Sequence, residues 1–441
     1  MEIREHPAPV IGSMSAIAVI VGMVIGIGIF RLPSIVATHA ADEITYMLFW
    51  IIGGAVTLSG AICYAVLSRH MPDSGGEYTF LRRSLGYNMG YLFVWGRVSV
   101  IQTGSIALVA FIFGDYATLV LELGPYSSTL YALGLVSILT LLNARGTVIS
   151  ITFQNYLAAL VVLAILVLGF MSFIDTTPTA DAGFRLFEGG LKWSSSMPGL
   201  AMIFVLLSFG GWNEASYLAG ELREVKKSIW VVLGGSIFLI TILYLIINFA
   251  YLNTLGLDGL KNSETPGHEL SNMLFGPQGS AILVAIIIIS SISTANATIL
   301  TGSRSLYALG RDREEFGFVG KWSSSRNTPA RALIVQGIVV LALVGLGGFS
   351  KDAISAVVDY TAPVFWFFML MVMTGFFKLV YQKTEIKLKN ELAIYLLPSV
   401  VFFLTSLYML YSSITYTGIG ATFGVLILIS GMIVKWMLGN K

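Results

Sequence analysis

Two stretches decide the fold: Gly22-Met23-Val24-Ile25-Gly26-Ile27-Gly28-Ile29-Phe30 and Leu206-Leu207-Ser208-Phe209-Gly210-Gly211-Trp212-Asn213-Glu214. Each lies inside an apolar run long enough to cross a bilayer, for which roughly 20 residues are needed. Each also contains what a lipid-facing helix avoids: three glycines in seven positions in the first, and a Gly-Gly pair followed by Asn213 and Glu214 in the second. Backbone groups freed by unwinding at mid-membrane need partners, so a break persists only where it lines a cavity or is covered by protein. An unwound helix offers the N–H groups and positive dipole end of one half to an anion. The carbonyl end of the other half suits a cation, and an amino acid zwitterion carries both charges on adjacent atoms. The spacing of Gly22 and Gly26 also suits plain helix packing, so the first stretch taken alone leaves both readings open.

Working outward, the chain holds twelve such runs, at about 12–38, 44–68, 88–121, 126–143, 147–173, 198–220, 228–252, 278–308, 329–348, 352–380, 391–412 and 417–438. Residues 175–198, with Asp181, Arg185 and Lys192, read as a loop; so does 253–277, with room for a short surface helix. Composition agrees. The chain is 56% hydrophobic and 11% charged, where a soluble domain is roughly 25% charged and would aggregate through such apolar patches. The lipid bilayer is therefore its medium, and its 46 glycines suit helices packed closely in lipid. A net charge of +2 suggests no nucleic acid partner, the lone Cys63 excludes a disulfide framework, and residues 1–10 do not read as a cleaved signal peptide.

The breaks fall in the first and sixth runs. Five spans is an odd number and reverses orientation, so 12–173 and 198–380 read as inverted repeats of five spans each, with 1–11 a cytoplasmic N-terminus and 391–438 two accessory spans. Paired interruptions at matching places in two halves point to a transporter's binding site. With the N-terminus inside, the outer loops hold only Arg185, Lys192, Lys261 and Lys351, and Arg31 and Arg97 fall within spans. All other Lys and Arg lie on the inner side, which places both termini in the cytoplasm of a cell membrane protein.

Residues Gly22 to Phe30 resemble the first-helix signature of the amino acid–polyamine–organocation superfamily, and Phe209-Gly210-Gly211-Trp212-Asn213 with Glu221 resembles the sixth-helix motif of its L-type amino acid transporter branch. Asp73-Ser74-Gly75-Gly76-Glu77-Tyr78, Gly104-Ser105 with Gly114-Asp115-Tyr116, and Asn296 to Arg304 with Tyr307, Arg311 and Asp312 resemble further motifs of that family in the expected order. The resemblance implies an all-α, LeuT-like fold of twelve helices with broken helices 1 and 6. It implies that amides around Gly26, Ile27 and Gly28 bind the substrate carboxylate. The carbonyls of Val24, Ile25, Leu207, Ser208 and Gly210 would bind its amino group, and Asn213 would tie helix 6 to the neighbouring gate. Some relatives hold a single-pass glycoprotein by a disulfide; no cysteine lies between the third and fourth spans here, so no disulfide-linked subunit is expected.

Three departures matter. Leu207 stands where an aromatic often covers the substrate, with Phe209 beside it as a substitute. Several members carry a lysine on helix 5; aligned on Phe153-Gln154-Asn155, this chain has Val161 there and no lysine from Thr147 to Phe173. Arg97, Glu214 and Asp359 are ionisable residues within spans, each a functional candidate by default. The pairing of Arg97 and Asp359 with each other or with Glu214 stays open, and an unpaired Asp359 would select a cationic substrate or carry a proton. Exchange without a coupling ion is the first choice of mode. Sodium coupling, with Ser290, Ser291, Ser293 or Thr294 and helix-1 carbonyls as oxygen ligands, and proton coupling are the alternatives. Leu207, Phe209 and Phe365 suit neutral, apolar L-amino acids, with cationic amino acids or polyamines second.

No enzyme reading survives. The helix 8 serines have no nearby histidine, no zinc or P-loop spacing occurs, and no cofactor is implied. A channel needs a repeated filter or charge rings, and a transporter-like sensor needs a signalling domain; the chain shows neither.

Overall fold

The computed structural model describes residues 7–174, 198–348, 353–382, 392–417 and 419–437. Among these there is no strand, only two isolated bridges, Ile11 with Leu222 and Ser323 with Thr328. The helices are α1 (Ser13–Val24), α2 (Gly28–Thr38), α3 (Glu43–His70), α4 (Glu77–Leu85), α5 (Tyr87–Gly96), α6 (Gln102–Val120), α7 (Ser127–Arg145), α8 (Thr147–Ile174) and α9 (Pro198–Ser208). They continue with α10 (Ala215–Leu218), α11 (Val225–Asn262), α12 (Pro266–Phe275), α13 (Gly279–Asp312), α14 (Ala330–Gly347), α15 (Ala353–Gln382), α16 (Leu392–Thr417) and α17 (Ile419–Met437).

Nine described helical stretches are long and apolar enough to cross a membrane, ten with α1 and α2 counted as one span bent by 56°. The run 198–220 is not one helix. It divides into α9, a turn and α10, so it does not pass as an unbroken span. The described part of the twelfth run, Ala421–Met437, is a shorter apolar helix. The run expected to end near 252 continues to Asn262, past a non-helical Gly256 at φ 68°, and α12 then occupies much of the expected 253–277 loop. The loop with Asp181, Arg185 and Lys192 lies outside the described residues.

Helix faces sort by solvent. Leu160, Leu163, Phe170 and Phe173 of α8 and Leu397, Leu404 and Tyr411 of α16 are exposed, as the lipid-facing surface of a membrane helix requires. The interior is aromatic and polar: Trp50, Tyr64, Tyr217, Tyr244 and Tyr251 are fully buried. At the centre, α1 packs between α8, α11 and α13, while α9 packs against α2 and α3. Both expected breaks therefore lie inside the bundle, where backbone partners are available.

Candidate substrate site

The first break is a tight turn. Gly26 N–H donates to the Val24 carbonyl at 2.9 Å across Ile25, whose φ and ψ of −80° and 79° are those of an inverse γ-turn. The chain restarts as α2 at Gly28, whose N-terminus has no side-chain cap. The first amides of a helix have no intrahelical partner, so those at Ile27, Gly28 and Ile29 are the ready donors here. Residues Gly26 to Gly28 are half-buried between fully buried neighbours. A Cβ at Gly28 would lie 3.9 Å from Ser208 Cα, so the two breaks face each other.

In the Gly-Gly pair of the second break the two glycines do different work. Gly210 N–H turns back to the Leu207 carbonyl at 3.1 Å, but Gly211 carries the reversal at φ 106°, a region L side chains rarely enter. A 3₁₀ turn over Trp212–Glu214 then leads into α10. Leu207 is 52% exposed, whereas Phe209 is 1% exposed and packs edge-on against Tyr244 at 5.0 Å between ring centroids. The Phe209 ring is thus held against Tyr244, away from the exposed face of Leu207.

The carbonyl ends of the half-helices are held by side chains. The Tyr244 hydroxyl lies 3.0 Å from the Val24 carbonyl and 2.7 Å from that of Ser208, joining the two breaks. Ser290 Oγ donates to the Ile25 carbonyl at 2.7 Å, and Thr294 Oγ1 contacts those of Gly22 and Met23 at 3.2 and 3.3 Å. Ser293 Oγ instead accepts from Gln154 at 2.8 Å, within a buried chain continuing through Asn296 to Asn143 and Ser150; Ser291 is buried nearby. Of the five carbonyls expected to hold an amino group, Ile25, Leu207 and Ser208 already accept one bond and keep a second lone pair, whereas Val24 faces two donors, the Gly26 N–H and the Tyr244 hydroxyl. Tyr244 was missed in the sequence. It shares a face with Asn248 and Tyr251 at i, i+4 and i+7, and Tyr251 reaches the Ile29 carbonyl at 3.2 Å; that polar stripe in an apolar run was the available signal.

A cavity of about 270 Å³ adjoins the breaks. Leu207, Gly210, Asn213, Thr294 and Phe365 line it, together with Gln102, Ser105, Thr298, Trp366 and Glu214. Gln102 and Ser105 follow a π-helical segment, Arg97–Ile101, of the kind that often marks a functional place in a helix. Val24, Ile25, Gly26, Ile27, Gly28, Ser208 and Phe209 do not line this cavity.

The open pairing of Arg97 resolves: Arg97 Nη2 meets Glu214 Oε2 at 2.6 Å, both buried. The side chain of Asp359 lies outside the described residues. Below the site the quoted motifs interlock. Glu221 and Arg304, both at 0% side-chain exposure, pair at 2.6 Å; Asp73 meets Arg311 at 2.9 Å; Asp312 takes Arg82 and the Tyr78 hydroxyl. Burial pushes the Glu221 carboxyl up from its ordinary range, against the pull of Arg304. The segment before α1 closes over this end, with Ile11 exchanging backbone bonds with Glu221 and Arg223, and Ala8 bonded through its N–H and carbonyl to the Asn327 side chain.

The amino acid permease family model matches residues 11–438, nearly the whole chain. The chain belongs to the amino acid permease family. It is a transport protein of the amino acid–polyamine–organocation superfamily, L-type branch, and not an enzyme. The permease is 27% identical over 413 residues to the b(0,+)-type amino acid transporter 1 of Mus musculus, covering 92% of this chain and 82% of that one. It is 25% identical over 393 residues to the serine/threonine exchanger SteT of Bacillus subtilis (strain 168), covering 88% and 86%. To the large neutral amino acids transporter small subunit 2 of Homo sapiens it is 25% identical over 434 residues, covering 97% and 80%.

Proposed function

We propose that this permease exchanges neutral L-amino acids across the cell membrane by alternating access. The observation that carries the reading is the pair of facing breaks beside the cavity, with the carbonyl ends of α1 and α9 bound by Tyr244 and the N-terminus of α2 uncapped. The substrate carboxylate sits on the amides of Gly26, Ile27 and Gly28, where the dipole of α2 favours an anion. The amino group takes the Gly210 carbonyl and the second lone pairs of Ile25, Leu207 and Ser208, and that of Val24 when the Tyr244 hydrogen points to Ser208. The side chain extends into the cavity toward Phe365 and Trp366, whose apolar faces suit neutral residues. Leu207 covers the substrate from the exposed side.

Exchange is our first choice of mode over sodium coupling: Ser290 and Thr294 already have a structural role as donors to helix-1 carbonyls, one that needs no ion. The architecture we infer is twelve spans in two inverted repeats, 12–173 and 198–380, with 391–438 accessory and both termini cytoplasmic. The broken α9–α10 passage and α17 supply the spans that length alone does not count. Uptake of labelled neutral amino acids into preloaded proteoliposomes, competed by cationic ones, tests the specificity: competition by cationic amino acids at equal strength would refute it.

A further inference from the structure

A buried ionic cluster beside the cavity is not used by this substrate reading. Glu77, the first residue of α4, is 4% exposed. Its carboxylate accepts from the Tyr64 hydroxyl at 2.5 Å, the Tyr217 hydroxyl at 2.6 Å and the Asn213 amide at 3.2 Å. Arg97 Nη1 is 3.9 Å away, but Arg97 is engaged by Glu214 at 2.6 Å and lies over the Tyr217 ring at 4.1 Å. Two carboxylates thus share one guanidinium out of water, leaving one excess negative charge when both are ionised. Such a charge is costly in a low-dielectric interior, and paired carboxylates relieve it by binding a proton at one of them. Burial pushes the Glu77 carboxyl up from its ordinary range, against the opposing pull of Arg97 and its two tyrosine donors.

The cluster can satisfy the protonated carboxyl as well as the ionised one. Tyr64 has a second acceptor, Met369 Sδ at 3.1 Å. With its hydrogen turned to that sulfur, the phenol oxygen accepts a bond from a protonated Glu77. Asn213 Oδ1 and Arg97 Nε are buried and have no hydrogen-bond partner, so the cluster also holds an unused acceptor and an unused donor. The cavity reaches the cluster through Asn213 and Glu214, which line it and touch Glu77 and Arg97. The titratable groups facing Glu77 are Tyr64 from α3, Arg97 from the π-helical segment, Glu214 from the 3₁₀ turn and Tyr217 from α10; the nearby Asp73 is taken by Arg311.

We propose that Glu77 is a proton-binding site of the transport cycle, exchanging its proton with the cavity through Asn213 and Glu214 as the cavity alternates between the two sides of the membrane. The proposal rests on the transport reading above. Proton uptake turns the Glu77 carboxylate into a neutral carboxyl and weakens its charge-assisted hold on Asn213, so the break in the sixth passage is freed from α4 in one protonation state and tied to it in the other.

The test uses the full chain in proteoliposomes with a pH-sensitive dye in the lumen, preloaded with an amino acid mixture, in a medium more acidic than the lumen. Adding labelled amino acids should accelerate luminal acidification. Glu77→Gln, fixed in the neutral form, should exchange the label more slowly, with that acceleration lost and the pH dependence of the remaining exchange flattened. Tyr64→Phe, which removes a donor to the ionised form, should shift the pH profile of exchange upward. Should Glu77→Gln fail to insert, the unaltered chain and Tyr64→Phe decide. Labelled exchange with unchanged acidification, or a Tyr64→Phe profile identical to the original, overturns the proton site and leaves exchange standing. Absence of labelled exchange overturns the transport reading and this site with it.

Discussion

Replacing Gly211 by alanine isolates the conformational demand of the second break. At φ 106° an alanine pays the penalty for a left-handed backbone, about 1–3 kcal/mol for such strained positions. Side-chain collision adds little: the new Cβ would meet Met23 Cγ at 3.2 Å and Sδ at 3.3 Å, and an unbranched methionine shifts easily. The penalty falls on the broken conformation and not on a straight α9, so the broken-to-straight ratio should fall roughly 5- to 150-fold. Apparent affinity weakens in proportion to whatever binding-competent fraction is lost. The assay is exchange in proteoliposomes at low and saturating amino acid, with size-exclusion chromatography to confirm that the chain is inserted and monodisperse. Gly211→Ala should be strongly impaired at low substrate and partly recovered at high substrate. Gly211→Asn should lose less, because asparagine enters the left-handed region more readily. A monodisperse alanine variant exchanging at the original rate at low substrate refutes the claim that this break must stay open.

Other outcomes follow from the same contacts. Tyr244→Phe removes the hydroxyl shared by the Val24 and Ser208 carbonyls; leaving buried acceptors short of a donor should cost about 1–3 kcal/mol, read as a lower unfolding temperature in detergent together with slower exchange. Arg304→Met strands the fully buried Glu221 and should cost about 3–5 kcal/mol, seen as lost monodisperse protein that Arg304→Met with Glu221→Gln partly restores. Gly22→Ala drives a methyl into Gln154 Nε2 and Ser293 Oγ and should destabilise by about 1–3 kcal/mol, whereas Gly134→Ala, which meets nothing within 4 Å, should leave the unfolding temperature essentially unchanged.

The breaks were legible because glycine and polar residues interrupt apolar runs at matching places, and a helix in lipid tolerates neither without a reason. Which glycine matters was not legible. Gly210 and Gly211 are chemically identical in the sequence, and only the backbone shows the positive φ at Gly211. The partners of Arg97 and Arg304 depend on how α13, the 3₁₀ turn and α10 come together, a long-range matter that local pattern does not encode. Tyr244 hid for another reason: one hydroxyl in an apolar span reads as an aromatic core residue unless the i, i+4, i+7 stripe with Asn248 and Tyr251 is noticed. The helix past residue 252 was not legible, because the chain leaves helical geometry at Gly256 and resumes helix on its far side with Leu260 fully buried. The placing of the Phe209 ring was not legible either: it lies in the turn just past α9 and packs against Tyr244 without lining the cavity.

The central claim, exchange of amino acids through the paired breaks, is tested most directly by uptake of a labelled amino acid mixture into proteoliposomes without any ion gradient, empty or preloaded with the unlabelled mixture. Strong uptake only after preloading is the result this account predicts. Equal uptake with and without preloading, or uptake that appears only under an inward sodium gradient, would contradict it.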